Sequence, residues 1–168
     1  MEGPSGNRLK TRWMGGLAGF ELGVLGGLLM LGWYVLSAPV IGQPWWTIPN
    51  LLASKYFSYS VLRAGPGFPT LAGTAFQLVT AGVIGAGVGF VLPIGRLGGV
   101  AVSAAWYLGC FFYLWPRVAP LAPAYTPQIL VMAGFFVFGS TLGYHRTLLM
   151  RRRETRAEYP EILETQDA

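Results

Sequence analysis

The chain has 168 residues, enough for one domain. Only 11% of them are charged, where about a quarter is usual, and the mean hydropathy is +0.48. With 24 glycines and 14% aromatic residues, that balance excludes an ordinary water-soluble domain and points to a set of membrane spans. The net charge of +5 comes mostly from the two ends, as a topology signal does, and does not suggest a nucleic-acid surface.

Arg8, Lys10 and Arg12 precede the first apolar run, an arrangement similar to the start of a signal peptide. The run continues to about residue 41, against roughly 7–15 residues for the apolar part of a signal, so a retained span over residues 14–38 is expected. Within it, residues 15–27 read GGLAGFELGVLGG. Gly15, Gly19, Gly23 and Gly27 fall four apart. At roughly 100° per residue the row drifts by only about 120° along the helix, forming one ridge. Such a ridge lets another helix backbone come close, which is how helices associate in lipid. Glu21 points away from the ridge. A carboxylate inside a span is protonated, reaches the interface or finds a cation, and Arg96, then His145, are its expected partners.

The first outer connection, residues 39–69, is too long for a turn. Pro49 suits the first turn of a helix, after which Leu51, Leu52, Phe57 and Leu62 alternate with Asn50, Ser54, Lys55 and Ser58. This pattern predicts a short interfacial helix anchored by Trp45, Trp46, Tyr56 and Tyr59. The second span, residues 70–92, carries an intramembrane polar residue, Gln77, in a stripe with Thr74 and Thr80, and a small-residue row of Ala81, Gly85 and Gly89. Its VIGAGVG stretch is similar to the start of a dinucleotide fingerprint. No strand precedes it, however, and Phe90 takes the third glycine position.

The third span, residues 97–115, repeats the small-residue spacing at Ala101, Ala105 and Gly109, followed by Cys110 as a small buried hydrophobe. A proline-rich link, PRVAPLAPAYTPQ, leads to the fourth span, residues 127–144, whose helix-packing pair is Gly139 and Gly143. His145 falls in its last turn, where the helix dipole favours it. The tail, residues 151–168, is basic and then acidic, and should prolong the fourth helix before fraying.

These elements predict an all-α membrane protein with four transmembrane helices, both termini cytoplasmic, and an interfacial helix in the first outer loop. The orientation rests on Arg8, Lys10, Arg12, Arg96, Arg146, Arg151, Arg152, Arg153 and Arg156 falling on one side, against Lys55, Arg63 and Arg117 on the other. No HExxH, CxxC, Ser–His–Asp order or carboxylate pair occurs. The expected function is therefore a non-enzymatic accessory or structural subunit of a membrane protein complex. It would contact lipids and other integral membrane subunits, or copies of itself, with no cofactor, metal or nucleic acid implied. A bacterial inner membrane suits the compact chain. A small oligomeric transporter or channel, or a lipid- or quinone-binding protein, are the alternatives.

Overall fold

The computed structural model describes the backbone of residues 4–91, 94–118 and 120–158, and the side chains of 11–91, 94–117, 120–121 and 124–152. All regular structure among them is helical. The elements are α1 (Pro4–Ser37), α2 (Thr47–Phe57), α3 (Phe68–Val91), α4 (Arg96–Gly109), α5 (Trp115–Val118), α6 (Ala122–Tyr125), α7 (Gln128–Leu142) and α8 (His145–Glu158). A π-helical segment, Cys110–Leu114, joins α4 to α5. Four stretches are long and apolar enough to cross a membrane: Thr11–Ile41, Phe68–Val91, Arg96–Arg117 and Gln128–Arg152. Backbone groups in hydrocarbon must bond within their own segment. That demand explains why α1 holds 34 residues of helix despite its glycines.

The helices are ordered α3–α1–α7–α4 across the bundle, so α1 and α7 form its centre. α1 and α3 pack backbone to backbone. A Cβ at Gly19 would strike the Gly85 carbonyl, and one at Gly85 would strike the Gly19 carbonyl. The same reciprocal fit pairs Gly15 with Gly89, while Gly23 meets the Ala81 carbonyl and Gly27 the Ala81 methyl. α4 and α7 share a second contact of this kind. A Cβ at Gly99 would lie 2.6 Å from the Gly143 nitrogen, and one at Gly139 2.7 Å from the Gly99 carbonyl oxygen. Between α1 and α7 the small residues meet rings instead: Gly26 faces Phe138, and Gly134 faces Tyr34. The Trp33 indole N–H donates to the Leu130 carbonyl at 2.9 Å.

Three expectations are corrected. Ala101, Ala105 and Gly109 do not form the packing face of α4; all three are exposed, with nothing within 4 Å of a Cβ at Gly109. The face turned to α7 instead carries Gly99 and Ser103, whose hydroxyl donates to the Phe135 carbonyl. The tail prolongs not α7 itself but a separate helix: the fourth stretch breaks at Gly143–Tyr144, and α8, which carries 151–158, packs in part on α1; the acidic end of the tail, 159–168, lies outside the described residues.

In α2, Asn50 and Ser54 are not on a wet face; they are 0% and 2% exposed. Asn50 is a hub. Its Nδ2 donates to the carbonyls of Val61 (2.7 Å) and Gly65 (3.0 Å), and its Oδ1 accepts from the Thr70 hydroxyl at 2.6 Å. The Thr70 hydroxyl oxygen in turn accepts the Gly67 N–H. One buried side chain thus ties α2 to the return loop and to the start of α3, with each of its polar atoms bonded. Gly73 completes the docking, since its bare Cα lies against the Pro49 carbonyl.

The α1–α3 contact yields a test. Gly19→Ala places a methyl where two backbones already touch, and overpacking of this kind costs about 1–3 kcal/mol. The thermal midpoint in detergent should fall. Gly87→Ala in α3 adds its methyl to open space and should leave the midpoint unchanged or higher. Equal midpoints for wild type and Gly19→Ala would contradict the contact.

Candidate functional site

Glu21 lies on the side of α1 away from the glycine ridge and is 45% exposed. Its partner is Arg152 on α8, at 2.5 Å, which corrects the expected pairing with Arg96 or His145. The break before α8 is the reason: His145 at its start reaches Gly15, and Arg152, two turns on, reaches Glu21. Arg96 instead lies over the Tyr144 ring, 5.5 Å from its centre. The pair is half exposed, so it adds little stability.

His145 opens α8 instead of closing α7, and is 2% exposed. Its Nε2–H donates to the Gly15 carbonyl at 2.9 Å, and its Nδ1 accepts the Ile94 N–H at 3.4 Å. One donor and one acceptor are what a neutral imidazole offers; the tautomer is assigned from these partners. The ring fits because Gly89 is bare: a Cβ there would lie 2.9 Å from Nε2. The Arg146 N–H donates to the Ile94 carbonyl at 3.0 Å. Both ring nitrogens are therefore engaged in joining α1, the α3–α4 link and α8. Among the described residues no three His, Cys, Asp or Glu side chains cluster where a metal ion could sit.

One departure from close packing lies in the half of the bundle that α2 caps. Although consecutive in sequence, α3 and α4 scarcely touch, because each grips a different central helix. The cleft between them has Phe76, Gln77 and Thr80 of α3 on one side, and Trp106 and Cys110 on the other. α1 and α7 form its floor, with Met30 and Tyr34 from α1. Ile48, Leu51 and Leu52 of α2 roof it. The cleft has a volume of about 60 Å³. Gln77 Nε2 donates only to the Met30 thioether, at 3.4 Å, a weak acceptor. The Tyr34 hydroxyl is buried without a hydrogen-bond partner among the described residues.

Across the molecule, α4 and α7 diverge outward into an apolar groove of about 550 Å³, lined by Ala104, Tyr107, Leu108, Met132 and Phe136 among others. It adjoins the outward row of Ala101, Ala105 and Gly109. At the capped end, Trp45, Tyr56 and Tyr59 are exposed and Trp46 half-buried, with the two indoles edge to face at 5.7 Å.

The structure thus brings together the glycines of α1 with Ala81, Gly85 and Gly89, and both Gly139 and Gly143 with the start of α4, and leaves Ala101, Ala105 and Gly109 exposed, without a packing partner among the described residues. Tyr34, Asn50, Ser103 and Arg152 were not singled out by the sequence. A tyrosine and a tryptophan side by side in a glycine-rich span, Trp33 and Tyr34, are the signal that could have marked the floor of the cleft.

The two polar contacts at the basic end differ sharply in burial, which predicts a ranking. His145→Leu strands a buried carbonyl and a buried N–H and should cost about 1–3 kcal/mol. Glu21→Gln removes a half-exposed pair and should cost under about 1 kcal/mol. Thermal midpoints of the two variants in detergent check the order; a larger loss for Glu21→Gln would reverse this assignment. Comparison of the chain with protein-family models, with curated proteins and with solved structures finds no match.

Proposed function

We propose that this protein is a non-enzymatic structural subunit of an assembly in a bacterial inner membrane, with both termini cytoplasmic, and that it docks through the outward face of α4 onto an apolar transmembrane helix of another subunit. One observation carries the reading. Elsewhere in the bundle the four-spaced rows of Gly and Ala meet another backbone or a close-fitting ring, but the row Ala101, Ala105 and Gly109 is exposed. Lipid supplies no hydrophobic drive between helices, and small residues earn their place in a span by letting a neighbour approach. The adjoining groove is lined by apolar and hydroxyl residues without a single charge, which suits an uncharged helix. Basic residues at the end where α1 begins and α8 starts support the orientation.

A passage through a single copy finds no support in the packing. The half of the bundle at the basic end is filled by backbone contacts of Gly15 with Gly89 and of Gly99 with Gly143, and by the buried His145 ring.

Two measurements test the proposal. Ala105→Leu with Gly109→Leu fills the outward face where nothing in the chain is displaced. The midpoint of the isolated protein should stay within about 0.5 kcal/mol of wild type, as for surface changes. A protein copurifying with the wild type in mild detergent should be lost. Retention of that partner would remove α4 as the docking helix, and a self-associated wild type would make a second copy the occupant. For orientation, a cysteine introduced as Ser58→Cys in a Cys110→Ser background should be labelled by an impermeant reagent from the periplasmic side; labelling only from the cytoplasmic side would invert the topology.

A further inference from the structure

We infer that the groove between α4 and α7 holds one chain of an anionic phospholipid, whose phosphate sits at Arg96 and Arg146 at the basic end of the bundle. The inference does not rest on a helix docking on α4. Ala101, Ala105 and Gly109 follow the next line round that helix, so a partner there would lie beside the lipid.

The groove and the arginine are in line. Arg96, Val100, Ala104 and Leu108 fall four apart on one side of α4, and the last three line the groove. At 1.5 Å per residue, Val100 to Leu108 is about 12 Å and Arg96 to Leu108 about 18 Å. Half of the hydrocarbon core is roughly 15 Å. A head group at Arg96 therefore gives its chain the depth of one leaflet in which to follow the groove. Aromatic rings mark the same level. Tyr144 and Trp13, at this end of the bundle, are 52% and 65% exposed, and such rings collect at the head groups.

Hydrocarbon fills any apolar groove in a bilayer, because lipid tails are as apolar as leucine. What retains one particular lipid is its head. Two backbone contacts bring the basic residues together there. The Arg146 N–H donates to the Ile94 carbonyl at 3.0 Å, two residues before Arg96. A Cβ at Gly143 would lie 2.8 Å from the Arg96 Cα. Both arginines are exposed.

The Arg96 guanidinium is steadied over the Tyr144 ring, 5.5 Å from its centre. Stacking uses the face of the group and leaves the N–H fork at its edge, a shape that matches phosphate. Glu21 is the only acid among the residues whose side chains are described, and Arg152 takes it. No described carboxylate thus competes for Arg96 or Arg146. A zwitterionic lipid carries its own cation beside the phosphate, so two arginines favour a lipid of net negative charge.

The full-length protein, purified in mild detergent, is titrated with dioleoyl phosphatidylglycerol and with dioleoyl phosphatidylcholine, which share their chains and differ in charge. Native mass spectrometry reads the first lipid bound. The anionic lipid should bind at least about fivefold more tightly. Arg96→Gln should weaken its binding about fivefold, the value of one basic residue beside a head group, and leave the choline lipid unchanged; Arg146→Gln should act in the same direction. Arg117→Gln, at the other end of the same span, removes an equal charge and should change neither. Ala104→Trp, which fills the groove from an exposed position, should weaken both lipids. Inorganic phosphate in excess should displace neither, since it has no chain. Equal binding of the two lipids, an equal loss in Arg117→Gln, unchanged binding in Ala104→Trp, or release by phosphate would overturn the site.

Discussion

Everything in this bundle follows from two backbones touching. Where Gly19 meets Gly85 and Gly15 meets Gly89, no side chain separates α1 from α3, and the distance between these helices is set by main-chain atoms alone. Contacts of that kind gain from dispersion and from Cα–H groups facing carbonyls, both short-ranged. They tolerate no added methyl. The price is directional: a helix that commits one face to its neighbour so completely can only offer a different face to a third. α1 turns Gly26 and Tyr34 to α7, and α7 turns Gly139 to α4, so the bundle grows as an arc and its two ends do not meet.

The cleft is the consequence. It persists because nothing pulls α3 and α4 together, and it is roofed because α2 is fastened on its other side. Asn50 holds the roof by three hydrogen bonds, two of them to carbonyls of the following turns, and Gly73 lets α2 sit directly on α3. The π-helical segment Cys110–Leu114 contributes on the opposite wall. A wide turn admits one extra residue into the helix, which advances the face presented beyond it and brings Leu114 and Trp115 back toward the cleft beside Cys110. Access, roof and wall thus arise from three local departures from plain helix packing.

Much of this was legible in the residues. Apolar runs bounded by proline mark four long helices, since a span has a narrow length and few charges. The spacing of Gly15, Gly19, Gly23 and Gly27 marks a ridge because the helix period makes it one. What spacing leaves open is which ridge meets which. Ala101, Ala105 and Gly109 carry the same period as Gly99, Ser103 and Tyr107, and only the position of α7 distinguishes inside from outside. The Glu21 partner was out of reach for a similar reason: Arg152 arrives there after a break in the helix at Gly143–Tyr144, and neither residue has the left-handed backbone that would flag one. Asn50 escaped because a polar residue in an amphipathic pattern reads as solvent-facing until the carbonyls around it are known.

The arc also bears on how the chain is assembled during synthesis. Spans leave the insertion machinery in sequence order, and α3 finds α1 waiting with a complementary row of glycines. The third span finds no such row. Among the described residues α4 packs mainly on α7, to whose Phe135 carbonyl the Ser103 hydroxyl donates, while Tyr107 and Cys110 share a side-chain cluster with Tyr34 of α1. Until the fourth span is made, that hydroxyl faces lipid or is held by another protein. The newborn chain therefore passes through a stage with a finished helix pair and a solitary third helix, and completion waits on the last span sliding between them.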